Sequence, residues 1–514
     1  MDESITIRVL HYTNNKNSTI SMSKGDNILE ALTANGFTIF SECGGMGICG
    51  KCIIRLIEGK LDISSQDKVV FSDFELNEGY RLACMAYPDM DCTVMLSSGI
   101  NAEFDVLTET TNKDQALSNV ASDYAIAIDI GTTTLALALV SLPAGNIVKK
   151  YSAVNPQRAY GADVVSRIKI SNEGRSRTLL KMIREELLYG IHMLAVRQGQ
   201  KVLDSIKQII ICGNTAMIHL LMGYSCDGLG SYPFIAVNLG MINTYTDEIF
   251  GMEEKIPIMI LPGISVYVGG DIAAGLLACE IHLKEKPCLF IDLGTNGEIV
   301  LGNKERILVT STAAGPAFEG GNISCGVASI PGAICHASFD EGILSYETIE
   351  NQPPVGICGT GLIELVSELL KEGIIDSSGL LADPYFDGGY PIAGMKLIQQ
   401  DIRELQLAKA AIRAGVDTLL ESYSITYEEL DEVYIAGGFG YHLDIDKAIY
   451  IGLLPEPVTD KVIALGNTSL SGAICAIIDS EAKNKLDQII ASAEEIHLSN
   501  IDEFRDLFFK YLSF

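Results

Sequence analysis

Three cysteines stand in a glycine-rich run, Ser41-Glu42-Cys43-Gly44-Gly45-Met46-Gly47-Ile48-Cys49-Gly50-Lys51-Cys52, and a fourth follows in Arg81-Leu82-Ala83-Cys84. The spacing is C-x5-C-x2-C, then thirty-one residues, then C. Four thiolates can ligate the two irons of a 2Fe-2S cluster, two per iron. Glycines suit such a loop, because a backbone with few side chains can wrap the sulfides and donate N–H groups to them. Structural zinc is the competing chemistry for a C-x2-C pair. Cys92 sits in the apolar run Asp91–Leu96 and reads as a core thiol.

A second chemistry is written twice. Asp129-Ile130-Gly131-Thr132-Thr133-Thr134 follows the apolar run Tyr124–Ile128, and Asp292-Leu293-Gly294-Thr295-Asn296-Gly297-Glu298 follows Cys288–Ile291. Each copy predicts a buried strand, a tight turn and a second strand. Gly131 and Gly294 let the backbone come close to an anion, so successive N–H groups can form a nest for phosphate oxygens. Thr132, Thr133 and Thr295 add hydroxyl donors, with Asn296 and Gly297 completing the second turn. Asp129 and Asp292 can hold a hydrated Mg²⁺ between them. A plain hairpin turn would account for one copy. The repetition predicts two related lobes with a nucleotide clamped between them.

These motifs need elements to position them. Ile5, Ile7 and Val9 alternate along a first strand, and Ser18–Ser23 is its expected partner. Asp26 is placed to cap a helix over Asn27–Asn35 that stops at Gly36. Residues 97–122 turn to Thr, Asn, Asp, Ser and Ala without periodicity, which reads as a linker, flexible or packed on a lobe. Asn155-Pro156-Gln157-Arg158-Ala159-Tyr160-Gly161-Ala162-Asp163 is too polar for a simple core element and leads into a helix. The strand Gln208–Cys212 ends in Gly213-Asn214-Thr215 before a helix, which makes Asn214 a natural ligand position. Two small-residue loops, Ser311–Gly321 and Ile357–Ile363, allow close approach of a backbone or a flat ligand. The helix predicted over Asp401–Leu420 buries Leu405, Ile412, Val416 and Leu419 and turns Arg403, Lys409 and Asp417 outward. Leu465–Ala473 reads as a hinge-side turn and helix start.

The chain has 514 residues and a formal net charge of −29, with pI near 4.6. That balance argues against nucleic acid and anionic membranes as partners. No secretory signal or spanning apolar run is evident. Thirteen cysteines, an odd number scattered through apparent core strands, point to a reducing cytoplasm rather than a disulfide framework.

Two phosphate hairpins followed by a glycine-rich turn, Ile435-Ala436-Gly437-Gly438-Phe439-Gly440, resemble the actin-like ATPase superfamily, which includes sugar kinases, chaperone ATPases and actin. The resemblance implies ATP with Mg²⁺, and Gly437 and Gly438 against the adenosine. It also implies a role for Asp271, in Val268-Gly269-Gly270-Asp271: sugar kinases place their catalytic base in a Gly-Asp at the matching point. Helix capping is the other reading of Asp271. The strand–helix–loop order around the cysteines resembles a β-grasp ferredoxin. The implied fold class is therefore an α+β β-grasp ferredoxin domain (1–98), a linker (99–122) and a two-lobed α/β, ribonuclease H-like ATPase. The lobes are expected over 123–280 and 281–514, the second with a C-terminal return.

The whole set, with the stretches NPQRAYGADVVSRI, STAAGPAFEGG, ICGTGLIEL and DIRELQLAKAAIRAG, resembles the ATP-dependent reductive activators of corrinoid proteins. That resemblance implies one-electron reduction of Co(II) to Co(I) in the corrinoid protein of a methyltransferase system. It further implies an electron donor and a homodimer. Some members carry a middle domain after the ferredoxin, and the linker here has no room for one. The task is uphill, since plant-type clusters lie near roughly −400 mV and each 100 mV of shortfall costs about 2.3 kcal/mol per electron. An activator of a radical dehydratase and a redox-sensing, chaperone-like ATPase are the alternatives.

Overall fold

The computed structural model describes residues 4–11, 17–35, 37, 39, 47, 52–96, 123–197, 200–340, 342–438 and 443–514. The loop carrying Cys43 and Cys49, the linker over 97–122 and Phe439-Gly440 therefore lie outside the described residues.

The N-terminal unit is a five-stranded sheet built on the alternation of Ile5, Ile7 and Val9, all buried. Its first strand, Ser4–His11, pairs antiparallel with Asn17–Ser23 and parallel with Cys92–Leu96. Ile53–Glu58 and Tyr80–Leu82 complete the sheet on the far side of Cys92–Leu96. The helix Ile28–Ala34 lays Ile28, Leu29 and Leu32 into the core, giving a β-grasp. Its cap is Asn27 rather than Asp26: the Asn27 side chain accepts from the N–H groups of Leu29 and Glu30. The preference for Asn follows from what its other end does, as described below.

Two six-stranded sheets follow, and their cores repeat one pattern. In the first, Ile206–Gly213 runs parallel to Tyr124–Ile130, which turns back antiparallel into Thr134–Ser141 and then Ile147–Val154. In the second, Val433–Ala436 runs parallel to Cys288–Leu293, which turns back into Gly297–Gly302 and then Ile307–Thr312. The echo read in the sequence is thus an echo of topology, with Asp129 and Asp292 near the ends of equivalent strands.

The strand YAIAIDI is buried on both faces, but the two faces differ. Ile126, Ile128 and Ile130 fill the core under the helix Ser176–Leu194. Ala125 and Ala127, being small, let the helices Gly270–Cys279 and Thr468–Ile478 lie close on the other side. That shared layer also takes Phe290, Val300 and Val309 from the second sheet, so the two lobes meet across these helices. The helices themselves touch at backbone distance: a methyl on Gly472 would lie 2.0 Å from the Ala274 carbonyl oxygen. The second hairpin is backed by the helix Gln399–Tyr423, which buries Leu405, Ile412, Val416 and Leu419 as expected.

Lys409, expected to face outward on that helix, is buried instead. Its ammonium donates to the carbonyls of Tyr511 and Ser513, both at 2.6 Å, so the C-terminal segment supplies the polar partners that a buried charge requires. Asp417 likewise accepts hydrogen bonds from Tyr427 and Tyr511 rather than facing water. One ion pair, Arg175 with Glu30 at 3.0 Å, joins the β-grasp unit to the first lobe. Both side chains are about half exposed, and such pairs contribute about 0–1 kcal/mol, so this contact opposes separation only weakly.

Candidate functional site

Cys52 and Cys84 are both buried, and their sulfurs lie 3.2 Å apart although thirty-one residues separate them in sequence. Three hydrogen bonds hold them there. Ala83 N–H donates to the Cys52 carbonyl at 2.7 Å, the Asn27 side-chain amide donates to the Cys84 carbonyl at 2.8 Å, and Ile28 N–H donates to the Ala86 carbonyl at 3.0 Å. An Asn at the helix cap thus serves twice, capping with its oxygen and fixing the Cys84 turn with its nitrogen. Two thiols brought this close suit ligation of a common metal atom, which fits the cluster chemistry read from the spacing. Cys92 is buried in its strand, and burial pushes its thiol up to about 11, with Asp91 adding to the effect. It is a core thiol.

The second site is a cleft between the lobes. Its walls bring together Asp129, Gly131, Thr132, Thr133, Asn214, Asp271, Asp292, Gly294, Thr295, Asn296, Gly437 and Gly438, so residues separated by more than 300 positions share one surface. Gly297 begins the return strand of the second hairpin, directly behind Asn296. At Gly131 a side chain is impossible: a Cβ would stand 2.5 Å from the Thr134 carbonyl oxygen. At Gly294 the same atom would make only an ordinary contact of 3.7 Å. At Gly437 φ is +105°, and a Cβ would fall 2.4 Å from the Leu293 carbonyl oxygen and 3.1 Å from Asp292 Oδ1. The Gly437 turn is therefore seated directly on the second hairpin.

The first hairpin is braced from several sides. Asn155, fully buried, donates from Nδ2 to the Gly131 carbonyl at 2.9 Å and from its backbone to the Thr133 carbonyl at 2.8 Å. Arg167, also fully buried, donates to the Thr132 carbonyl and, at 2.9 Å, to that of Gly161. Asn214 caps the helix Thr215–Met222 with Oδ1 and donates from Nδ2 to the Thr132 hydroxyl at 2.9 Å. Asn467 caps Thr468–Ile478 in the same way and donates to Asp129 Oδ2 at 2.8 Å. The polar stretch after Asn155 is polar because it holds this turn.

Glu319 joins the two hairpins. One of its carboxylate oxygens accepts from the Thr133 hydroxyl at 3.0 Å and also from the Thr295 hydroxyl. It lies at the end of the short helix Pro316–Glu319, inside the small-residue loop. Asn155, Arg167, Glu319 and Asn467 were not singled out by residue chemistry in the sequence. Their signal was polarity in otherwise small or apolar stretches.

The carboxylates of the cleft perturb one another. Burial raises Asp129 to about 7, Asp271 to about 6 and Asp292 to about 8, and it raises Glu298 well above the usual carboxylate range. The neighbouring carboxylates add to the rise in Asp129, Asp292 and Glu298, while the amide of Asn467 opposes it at Asp129. Like charges gathered in a poorly solvated floor create a demand for a cation. Among the described residues no three His, Cys, Asp or Glu side chains converge closely enough to ligate one ion together. All-oxygen carboxylate donors of this kind suit a hard cation, such as Mg²⁺ with part of its own water shell. Asp271 is not the N-cap: the cap of Gly270–Cys279 is Gly269, and Asp271 sits in the first turn, accepting from the adjacent Ile272 N–H at 2.9 Å. Its carboxylate lines the cleft.

Comparison with known proteins agrees with this anatomy. A family model described as a 2Fe-2S iron-sulfur cluster binding domain matches residues 12–89. Models described as the RACo middle region and as the C-terminal, ASKHA domain of RACo match 124–284 and 286–514. The corrinoid activation enzyme RamQ of Eubacterium limosum is 33% identical over 414 residues, covering 74% of this chain and 68% of that protein. The chain belongs to the corrinoid-activator family. The Co(II) methylated amine-specific corrinoid protein reductase of Methanosarcina barkeri is 28% identical over 413 residues, 73% of each chain. A solved reductive activator for corrinoid, iron-sulfur protein superposes with a TM-score of 0.70 at 29% identity, covering 99% of this chain and 98% of that one. The family's middle region has its counterpart here as the first lobe, not as an insertion in the linker.

Proposed function

We propose that this protein uses ATP to drive one electron from its ferredoxin domain into a corrinoid protein, returning inactive Co(II) to Co(I). The observation that carries the reading is a union on one chain of this family. A paired-thiol cluster domain is joined to a cleft whose two phosphate hairpins share a single carboxylate, Glu319. A small-molecule kinase has no use for the first, and a plain electron carrier has none for the second.

Cys43, Cys49, Cys52 and Cys84 would hold the 2Fe-2S cluster, which when bound supplies a one-electron carrier. Asp129 and Asp292, with Asp271 and Glu298 behind them, would hold hydrated Mg²⁺. The hydroxyls of Thr132, Thr133 and Thr295 and the backbone of Gly131, Gly294, Asn296 and Gly297 grip the phosphates. Gly437 and Gly438 leave room for the adenosine. Asp271, raised toward neutrality, accepts the proton of the attacking water, and a positioned base of that strength is an efficient one near pH 7.

The coupling step lies at Glu319. Phosphate oxygens entering between the hairpins compete for the two hydroxyls that Glu319 now accepts from, and their charge repels its carboxylate. Glu319 then lets go of Thr133 and Thr295, and the segment Pro316–Gly321 is freed to rearrange. In this way bound nucleotide becomes a difference in surface that a partner can read. A separate reducing protein recharges the ferredoxin domain, the active unit is a homodimer, and the setting is cytoplasmic.

The test uses the intact, chemically reduced protein with a purified Co(II) corrinoid protein, followed by the visible spectrum of Co(I). Co(I) is expected only with Mg-ATP. Equal rates without nucleotide would remove the ATP lever from the scheme.

A further inference from the structure

A surface built from two stretches that carry no charge of their own stands out on this acidic chain. No charged residue lies between Asp227 and Asp247, nor between Lys255 and Asp271. These two stretches meet at the surface, where the Phe234 ring meets Tyr267 at a tilt with centroids 5.7 Å apart and Tyr232 edge-on at 6.3 Å. Tyr232 is 88% exposed, Ile235 63% and Val237 58%, with Phe234 and Tyr267 near 40%. The loop is nonetheless tied at its base: Ile235 N–H donates to the Gly228 carbonyl at 2.9 Å and Phe234 N–H to that of Ser231 at 2.9 Å. Phe234 adopts a φ of +58°. A bulky residue held in that region is strained, and such strain clusters at ligand clamps and switch regions.

The patch is connected to the nucleotide cleft through one short helix. The Thr132 hydroxyl is held by Asn214, which caps Thr215–Met222. On that helix His219 is buried and neutral. Val237 N–H donates to its Nε2 at 3.0 Å, so Nδ1 carries the proton and donates to the Thr215 carbonyl at 2.7 Å. The Thr215 hydroxyl donates to the Ser265 carbonyl at 2.7 Å, and the Ser265 hydroxyl accepts from Tyr267 and Val268 N–H groups at 3.2 and 3.0 Å. Both arms of the patch thus hang from the helix that touches Thr132. The turn after Tyr267 also leads directly to Asp271.

We propose that Tyr232, Phe234, Ile235, Val237 and Tyr267 form the docking surface for the Co(II) corrinoid protein, and that the nucleotide sets its presentation through Asn214 and His219. This rests on the function proposed above. Two observations favour that occupant over a second copy of this chain. From their exposed fractions, five side chains offer an area on the order of 500 Å². A stable dimer buries about 800 Å² per partner, whereas transient redox encounters stay below about 1,200 Å² in total. A permanent contact would also gain nothing from hydrogen bonds to a phosphate-gripping hydroxyl. On a chain of net charge −29, five uncharged side chains, with Glu495 reaching only Tyr267 at their edge, let a soluble redox partner approach with little charge to desolvate.

The test compares the full, cluster-loaded chain with a Tyr232→Ser/Ile235→Ser variant, using a purified methylamine-type corrinoid protein poised as Co(II). The KM for that protein should rise at least tenfold, with the basal ATPase rate and the cluster absorbance unchanged. In His219→Gln, the ratio of Co(II)-protein affinities with and without ATP should fall toward one while ATP affinity stays the same. Wild-type activity with an unchanged KM in the double variant overturns the docking surface alone. So does an unchanged KM with a loss of self-association in sedimentation, which would assign the patch to a second copy. Failure of the wild-type protein to give ATP-dependent Co(I) removes the parent reading, and this one with it.

Discussion

Gly437→Ala is the sharpest probe of the cleft. The strand Val433–Ala436 delivers Gly437 onto the second hairpin, where its N–H donates to the Gly466 carbonyl at 3.1 Å. An added methyl meets the Leu293 carbonyl oxygen at 2.4 Å and Asp292 Oδ1 at 3.1 Å, at a φ of +105° that only glycine adopts comfortably. Both obstacles belong to the hairpin that carries Asp292, so neither can yield without moving that carboxylate. Holding a non-glycine residue in such a conformation costs about 1–3 kcal/mol. The turn will relax in the empty cleft and must be forced back when nucleotide binds, so the strain appears as a loss of ATP affinity. The expected loss is roughly 5- to 150-fold. Calorimetric titration with a non-hydrolysable analogue and Mg²⁺ measures it, with the cluster absorbance as the internal control for folding. Gly438→Ala is the companion: nothing lies within 4 Å of a Cβ there, so packing predicts almost no effect. Wild-type affinity in Gly437→Ala would refute the reasoning. Equal losses in both variants would place the damage on ligand approach and not on the seat against Leu293.

Three further outcomes are expected. Cys52→Ser and Cys84→Ser should each abolish the visible absorption of the cluster, while Cys92→Ser keeps it; a normal spectrum in Cys84→Ser removes the ligand assignment. Asp271→Asn should bind ATP nearly normally and hydrolyse it roughly 10²- to 10⁴-fold more slowly, and unchanged turnover would reduce Asp271 to a member of the first helical turn. Asn155→Ala deletes the side-chain bonds to the Gly131 carbonyl and from Gln157 N–H, at 2.9 and 3.0 Å. Leaving such buried groups unpaired costs about 1–3 kcal/mol, seen as a higher KM for ATP with the cluster spectrum intact.

Motifs whose chemistry is local could be read from the chain. Asp-x-Gly-Thr behind an apolar strand states a turn, an anion nest and a carboxylate within six residues, and its repetition states the two lobes. The cysteine spacing states a ligand set in the same way. What could not be read is polar chemistry that becomes meaningful only across distance. Glu319 is one acid in a small-residue loop until folding places it between two threonines more than 160 positions apart. Lys409 looks like a surface lysine by helical periodicity, and only the carbonyls of Tyr511 and Ser513 make its burial possible. Asn27 outcompetes Asp26 as a cap because its amide nitrogen also reaches Cys84, a bond a carboxylate cannot donate.

The two hairpins look alike in sequence, but they are not held alike, and this gives the lever a direction. Four side chains from different elements, Asn155, Arg167, Asn214 and Asn467, fix the first hairpin at Gly131, Thr132 and Asp129. The second has Glu319 on its threonine and the Gly437 turn seated behind it, and the space at Gly294 is open enough to take a methyl. A phosphate chain bound between a fixed hairpin and a looser one moves the looser one, since bound conformations follow the cheaper displacement. That motion is transmitted on the side of Glu319 and the loop Pro316–Gly321. On the proposed function, the hairpin that carries Asp129 stays in place while the Glu319 side moves, so Glu319→Gln should weaken the coupling of ATP to Co(I) formation more than it changes ATP affinity.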